Sequence, residues 1–149
     1  MMNKQIWRVC GWLFLMGSAS SAYATSSTTM TSTIINKTGE DLTLSSADWP
    51  FGSYSYQDYA IPRYHKGAFT VKHSSRMEGD AVFTYRAGGK ACQFSVGHKP
   101  ERKTGWLMYS IEPVEWAKAK TVGDVGAICR ALIPTRKSED NYVITFIMG

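Results

Sequence analysis

Histidines, cysteines and paired carboxylates are the residues with the chemistry to act, so their spacing is the first thing the sequence must answer for. The three histidines, His65, His73 and His98, never fall at H-x-x-x-H or H-E-x-x-H spacing, and no Cys/His set has the separation a zinc site needs. No G-x-S-x-G, P-loop or G-x-G-x-x-G occurs. The nearest carboxylate pairs, Glu112 with Glu115 and Glu139 with Asp140, lie in polar sequence and read as solvated surface. We therefore expect no catalytic residues, no metal and no cofactor, and a protein that is not an enzyme.

What remains is chemistry of recognition. Trp49, Phe51, Tyr54, Tyr56 and Tyr59 place five aromatic rings in an eleven-residue stretch interleaved with Pro, Gly, Ser and Asp. In a loop, that mixture makes a binding surface, because Tyr and Trp give large contact area at little entropic cost and their polar tips suit a lipid headgroup or a wet interface. In a strand, the same residues would alternate over a sheet with Trp49 and Phe51 in the core. A second candidate surface is the basic run His98-Lys99-Pro100-Glu101-Arg102-Lys103-Thr104-Gly105 leading into Trp106, in which Lys99, Arg102 and Lys103 face one acid. His73 ends an apolar face and reads as a core-edge residue.

The N-terminal residues place these surfaces in a compartment. Lys4 and Arg8 precede an apolar run over residues 9–16, and Ala22-Tyr23-Ala24 supplies the small-x-small pattern a signal peptidase cuts. The apolar run is about half the roughly 20 residues that a membrane-spanning helix requires, so residues 1–24 are expected to be a signal peptide and the protein to be secreted or periplasmic. Cleavage removes Lys4 and Arg8 from 17 basic residues and none of the 12 acidic ones, which leaves a mild net charge of +3. Such a charge aids association with anionic lipid or an acidic protein but is too weak to argue for nucleic acid, which an exported protein rarely meets, so no nucleic-acid partner is expected. Cys10 leaves with the signal, and Cys92 and Cys129 remain to pair, closing a 37-residue loop worth roughly 2–4 kcal/mol.

The elements that carry these residues are short and β-rich. Residues 25–32 form a Ser/Thr tract expected to be a flexible lead-in, and the domain proper is expected over residues 33–149. Residues 33–36 and 41–44 read as a hairpin, followed by strands at 68–73, 81–86, 91–96, 106–112, 127–133 and 142–148. Phe69 and Val71 face opposite Thr70 and Lys72, and Cys92, Phe94 and Val96 share a face opposite Gln93 and Ser95. Ala87-Gly88-Gly89-Lys90 joins two strands at hairpin distance, and residues 97–105 mark a further reversal. Only residues 114–120 look helical. Asn36-Lys37-Thr38 is also a glycosylation sequon. About eight strands with Gly-containing turns predict an all-β fold, a single antiparallel β-sandwich with one disulfide.

The order Ile35-Asn36-Lys37-Thr38-Gly39-Glu40-Asp41-Leu42, an aromatic, Gly-containing segment, Ile61-Pro62 with Gly67, and Gly79-Asp80 leading into Val82-Phe83-Thr84-Tyr85 resembles the opening half of aegerolysins and related haemolysin-like β-sandwiches. The match spans residues 33–94, and residues 97–149 have no counterpart in it. The resemblance implies a small sandwich that recognises membrane lipids and acts with a larger pore-forming partner, without catalysis, with Trp49, Phe51, Tyr54, Tyr56 and Tyr59 as its lipid-facing set. The expected function is an exported module that binds a membrane lipid surface. The alternative is an envelope inhibitor or immunity protein that occludes a secreted toxin or enzyme.

Overall fold

In the computed structural model, residues 27–48 and 56–149 are described, the side chains of Tyr56 and Gln57 excepted. The expected signal peptide, and Trp49, Phe51 and Tyr54 of the aromatic stretch, lie outside the described residues. Nine strands follow one another along the described chain: β1 (Thr28–Asn36), β2 (Thr43–Ala47), β3 (Lys66–His73), β4 (Gly79–Ala87), β5 (Lys90–Thr104), β6 (Tyr109–Thr121), β7 (Cys129–Ala131), β8 (Thr135–Ser138) and β9 (Asn141–Met148). One short 3-10 helix, Tyr56–Tyr59, lies between β2 and β3.

These strands form two sheets packed face to face, the sandwich that the turn spacing predicts. One runs β3-β1-β9-β7 with β8 also paired to β9, and the other runs β2-β4-β5-β6. Period-two alternation explains the packing. On β1 every second residue from Thr28 to Asn36 is buried, and on β9 Tyr142, Ile144, Phe146 and Met148 are buried in turn. From the opposite sheet Ala81, Phe83 and Tyr85 of β4 and Cys92, Phe94 and Val96 of β5 complete the core. Its centre is aromatic: the Phe83 ring lies 5.1 Å from Phe69, 5.6 Å from Phe94 and 5.3 Å from Phe146.

Several expectations are corrected. The sandwich is not wholly antiparallel, because β1 pairs in parallel with β9 while pairing antiparallel with β3. β1 and β2 are not a hairpin; they belong to different sheets, and β2 pairs with β4. β1 begins at Thr28, inside the tract read as a lead-in, because its Thr, Met and Ser side chains alternate over the core between two partners. Residues 114–120 are strand rather than helix, since pairing along the whole of β5 outweighs the helix propensity of Ala and Lys. Residues 97–104 continue β5 instead of reversing it, and the reversal lies at residues 105–108.

The connection from β1 to β2 is organised by one side chain. Asn36 is buried, and its Nδ2 donates to the carbonyls of Glu40, Ile61 and Pro62 at 2.8, 3.1 and 3.0 Å. Its Oδ1 accepts from the Thr38 amide at 2.9 Å and the Thr38 hydroxyl at 2.7 Å. An amide so committed has no room for a glycan, so the sequon at Asn36 is a structural motif. The expected turn at residues 87–90 is present, with Gly88 at φ 53°, a conformation that side chains with a Cβ rarely adopt.

Cys92 and Cys129 form the expected disulfide, with Cα atoms 5.6 Å apart. It joins β5 to β7, so it ties one sheet to the other. A disulfide of this kind is compatible with an oxidising compartment.

Candidate functional site

β5 and β6 are much longer than their neighbours, and their outer halves leave the sandwich as a two-stranded arm. Their pairing continues from Lys99 opposite Val114 to Thr104 opposite Tyr109. At about 3.4 Å per residue that is an arm of roughly 20 Å. From Lys99 onward every residue of β5 is exposed. The arm closes in a four-residue turn in which the Gly105 amide donates to the Met108 carbonyl at 2.8 Å.

The turn carries an apolar tip. Trp106, Leu107 and Met108 are 96, 81 and 82 % exposed, and Tyr109 and Ile111 behind them are 59 and 57 % exposed. Scattered exposed apolar residues are ordinary on a protein surface, but five gathered at the end of a projecting element form a patch suited to contact. The basic run foreseen in the sequence sits directly behind this tip.

The two faces of the arm differ. Lys99, Glu101 and Lys103 of β5 share a face with Ser110 and Glu112 of β6, where Lys99 pairs with Glu101 at 3.1 Å and Lys103 with Glu112 at 2.6 Å. The Lys103 ammonium and the Ser110 hydroxyl hold the Glu112 carboxyl below its usual range. The opposite face carries Pro100, Arg102, Tyr109, Ile111 and Pro113, and the Arg102 guanidinium lies 4.0 Å from the Tyr109 ring centroid. This second face continues the inward side of β5 and β6 past the edge of the other sheet. At its base Arg136 of β8 donates to the Pro113 carbonyl at 2.6 Å and to the Glu115 carboxylate, fixing the arm where it leaves the domain. A cleft of about 470 Å³ opens there, lined by Met77, Ile111, Pro113 and Arg136 among others.

The remaining candidates are placed as follows. Lys99, Arg102, Lys103 and Trp106 are brought together on the arm. Tyr59 stands elsewhere, half-buried with its ring 5.7 Å from Phe69 in edge contact, and its carbonyl accepts the Tyr85 hydroxyl at 3.0 Å. Tyr56 opens the short helix beside it. Leu107 and Met108 escaped the sequence reading because residues 106–112 read as one strand. The signal that marks them is Gly105, a turn residue standing between two long strands.

The carboxylate pairs resolve into structure. Glu112 and Glu115 project from opposite faces of β6, as a three-residue spacing in a strand requires. Arg76 holds both Glu139 and Asp140, at 2.8 and 3.1 Å. Among the described residues, no three His, Cys, Asp or Glu side chains are grouped to hold a metal ion.

His98 is buried rather than part of a basic loop, its Nδ1 3.1 Å from the Tyr142 hydroxyl and its Nε2 3.1 Å from the Ser75 carbonyl. His73 packs beside it at the core edge, ring centroids 5.3 Å apart. Burial first, then the neighbouring His98, lowers the His73 pKa, and Asp80 acts in the opposite direction. The unfolded chain therefore takes up a proton at this position more readily than the folded one. Its contribution to stability is complete above a pH of roughly 6.5 and falls as the pH drops through that value toward the lowered folded pKa. Urea titrations across this range should show that loss, and His73→Gln should flatten it; an unchanged profile in the variant would assign the loss to other groups.

No family model matches the chain, and no curated protein matches it. Among solved structures, the chain is similar to one described as IP-1A from Alcaligenes faecalis, with a TM-score of 0.49 and 10% sequence identity over 83% of this chain and 92% of that chain.

Proposed function

We propose that this chain is an exported, non-catalytic binding module that docks on a membrane lipid surface through the arm formed by β5 and β6. The observation that carries this reading is the exposed tip of Trp106, Leu107 and Met108 with Arg102 and Lys103 immediately behind it. Apolar side chains at a tip gain by entering the acyl boundary, about 1.5–3 kcal/mol for each large one fully buried. Trp and Tyr prefer the headgroup level, and the basic side chains behind them meet phosphate. Pairing within the arm satisfies only the facing half of its backbone groups and leaves both outer edges open, so insertion is confined to the side chains of the turn.

The test is co-sedimentation with vesicles of phosphatidylcholine alone and mixed with phosphatidylglycerol. Wild-type protein is expected to pellet with one or both, W106A to bind about tenfold more weakly, and the triple variant W106S/L107S/M108S to remain in the supernatant while melting like wild type. Wild-type protein that ignores both vesicle types would overturn the reading. The second reading, occlusion of a protein partner, would then be favoured by the stiffness of the arm, whose cross-strand pairs Lys103 with Glu112 and Arg102 with Tyr109 hold it in one shape.

A further inference from the structure

On the outer face of the four-stranded sheet, at the base of the arm, three cross-strand partners form one row: Asp80 of β4, Gly97 of β5 and Trp116 of β6. The central position has no side chain, and the Trp116 indole takes its place. A Cβ at Gly97 would come within 2.8 Å of the indole Cζ2 and 2.5 Å of the Gly79 carbonyl oxygen, so only glycine lets the ring settle there. The result is a depression of about 410 Å³ lined by Glu78, Asp80, Lys99, Trp116 and Lys118. That volume lies within the ~300–1,000 Å³ typical of small-molecule sites.

We infer that this depression is a binding site for a neutral saccharide, with Trp116 as its platform. The indole offers a flat apolar surface of the kind that the C–H face of a pyranose ring covers. Around it stand hydrogen-bonding groups of both kinds, carboxylates that accept and ammonium groups that donate, which together match the paired hydroxyls at a sugar's rim. The Lys118 ammonium lies over the Trp116 ring, 5.6 Å from its centroid, and must swing aside for a sugar to cover that face. Among the described residues, the carboxylates of Glu78 and Asp80 make no side-chain hydrogen bond or ion pair, so they are available to a ligand, while Lys118 rests on the Trp116 ring. Glu78 and Asp80 face Lys118 and Lys99, the latter already paired with Glu101, so charges of both signs line the site, which favours a neutral polyol over a free anion or a free cation. Glu78 and Asp80 flank Gly79, and Asp80, Gly97 and Trp116 are held by the ladders of three adjacent strands, so the row is built before any ligand arrives.

This site is separate from the apolar tip, and its test separates the two. Isothermal titration of the full protein with cellotetraose, maltotetraose, laminaritetraose and tetra-N-acetylchitotetraose should show binding of at least one, at dissociation constants of about 10 µM to 1 mM. W116A is expected to weaken that binding at least tenfold or so, and D80N by about fivefold, whereas W106A leaves it unchanged. Should W116A fail to unfold cooperatively, W116L keeps an apolar side chain over Gly97 without the flat ring and is expected to lose binding to the same extent. Absence of binding by all four sugars up to about 10 mM would overturn the inference. Binding that survives W116L, or binding of choline chloride in place of the sugars, would overturn it equally.

Discussion

Asn36→Ala is expected to lower unfolding stability by about 3–5 kcal/mol, read as a fall in the urea midpoint at unchanged slope. The side chain removed holds five partners in a buried setting, its two Nδ2 hydrogens shared among three carbonyls and its Oδ1 accepting twice from Thr38. A typical bond contributes about 1 kcal/mol net, but its loss here strands partners that water cannot easily reach, and stranded groups cost more than the bonds gain. Asn36→Asp separates the donor half from the acceptor half. A carboxylate still accepts from Thr38 but cannot donate, and it faces the carbonyls of Glu40, Ile61 and Pro62, so its cost should approach that of alanine. If aspartate were tolerated, the three carbonyls would not depend on the amide, and the segments before β2 and before β3 would be held by other means.

Phe83→Ala is expected to cost a similar ~3–5 kcal/mol for a different reason, the cavity left when a fully buried ring is removed from the aromatic cluster. Phe83 is 0 % exposed and meets Phe69 from β3, Phe94 from β5 and Phe146 from β9, so the void would open between both sheets. Phe83→Leu should cost less, about 1–1.5 kcal/mol, because the shape is partly refilled. Equal losses for the two substitutions would show that ring geometry, rather than volume, governs this core.

The inward positions were legible because alternation is a local property. Phe69, Val71, Cys92, Phe94 and Val96 could each be assigned a face from their immediate neighbours, and the disulfide followed from the number of cysteines. Partnership was not legible in the same way. Nothing near residues 28–36 announces that their neighbour is β9, more than a hundred residues later, nor that the chain crosses between sheets after Asn36. The two readings at Gly97 and at residues 114–120 failed together for one reason. Glycine was taken as punctuation and Ala/Lys as helix, whereas paired across the ladder they are a gap, the Trp116 ring over it, and small inward residues Ala117 and Ala119 beneath the other sheet. The arm was half legible: its charges and Trp106 stood out, but the projection of the tip follows from β5 and β6 outrunning every other strand, which is a property of lengths compared across the whole fold.

The parallel pairing of β1 with β9 has a practical corollary for orientation. Thr28 stands opposite His73 and its hydroxyl reaches the Arg76 carbonyl, so β1 starts at the pole of the sandwich from which the arm extends. β9 runs the same way, and Gly149 exchanges hydrogen bonds with Ile128 at the other pole. A fluorophore or carrier protein joined after Gly149 therefore hangs away from whatever the tip touches, while anything attached ahead of Thr28 crowds the same ground as Trp106. A chain grafted to a support through its C-terminal end would present the arm outward, and one grafted through its N-terminal end would bury it against the support.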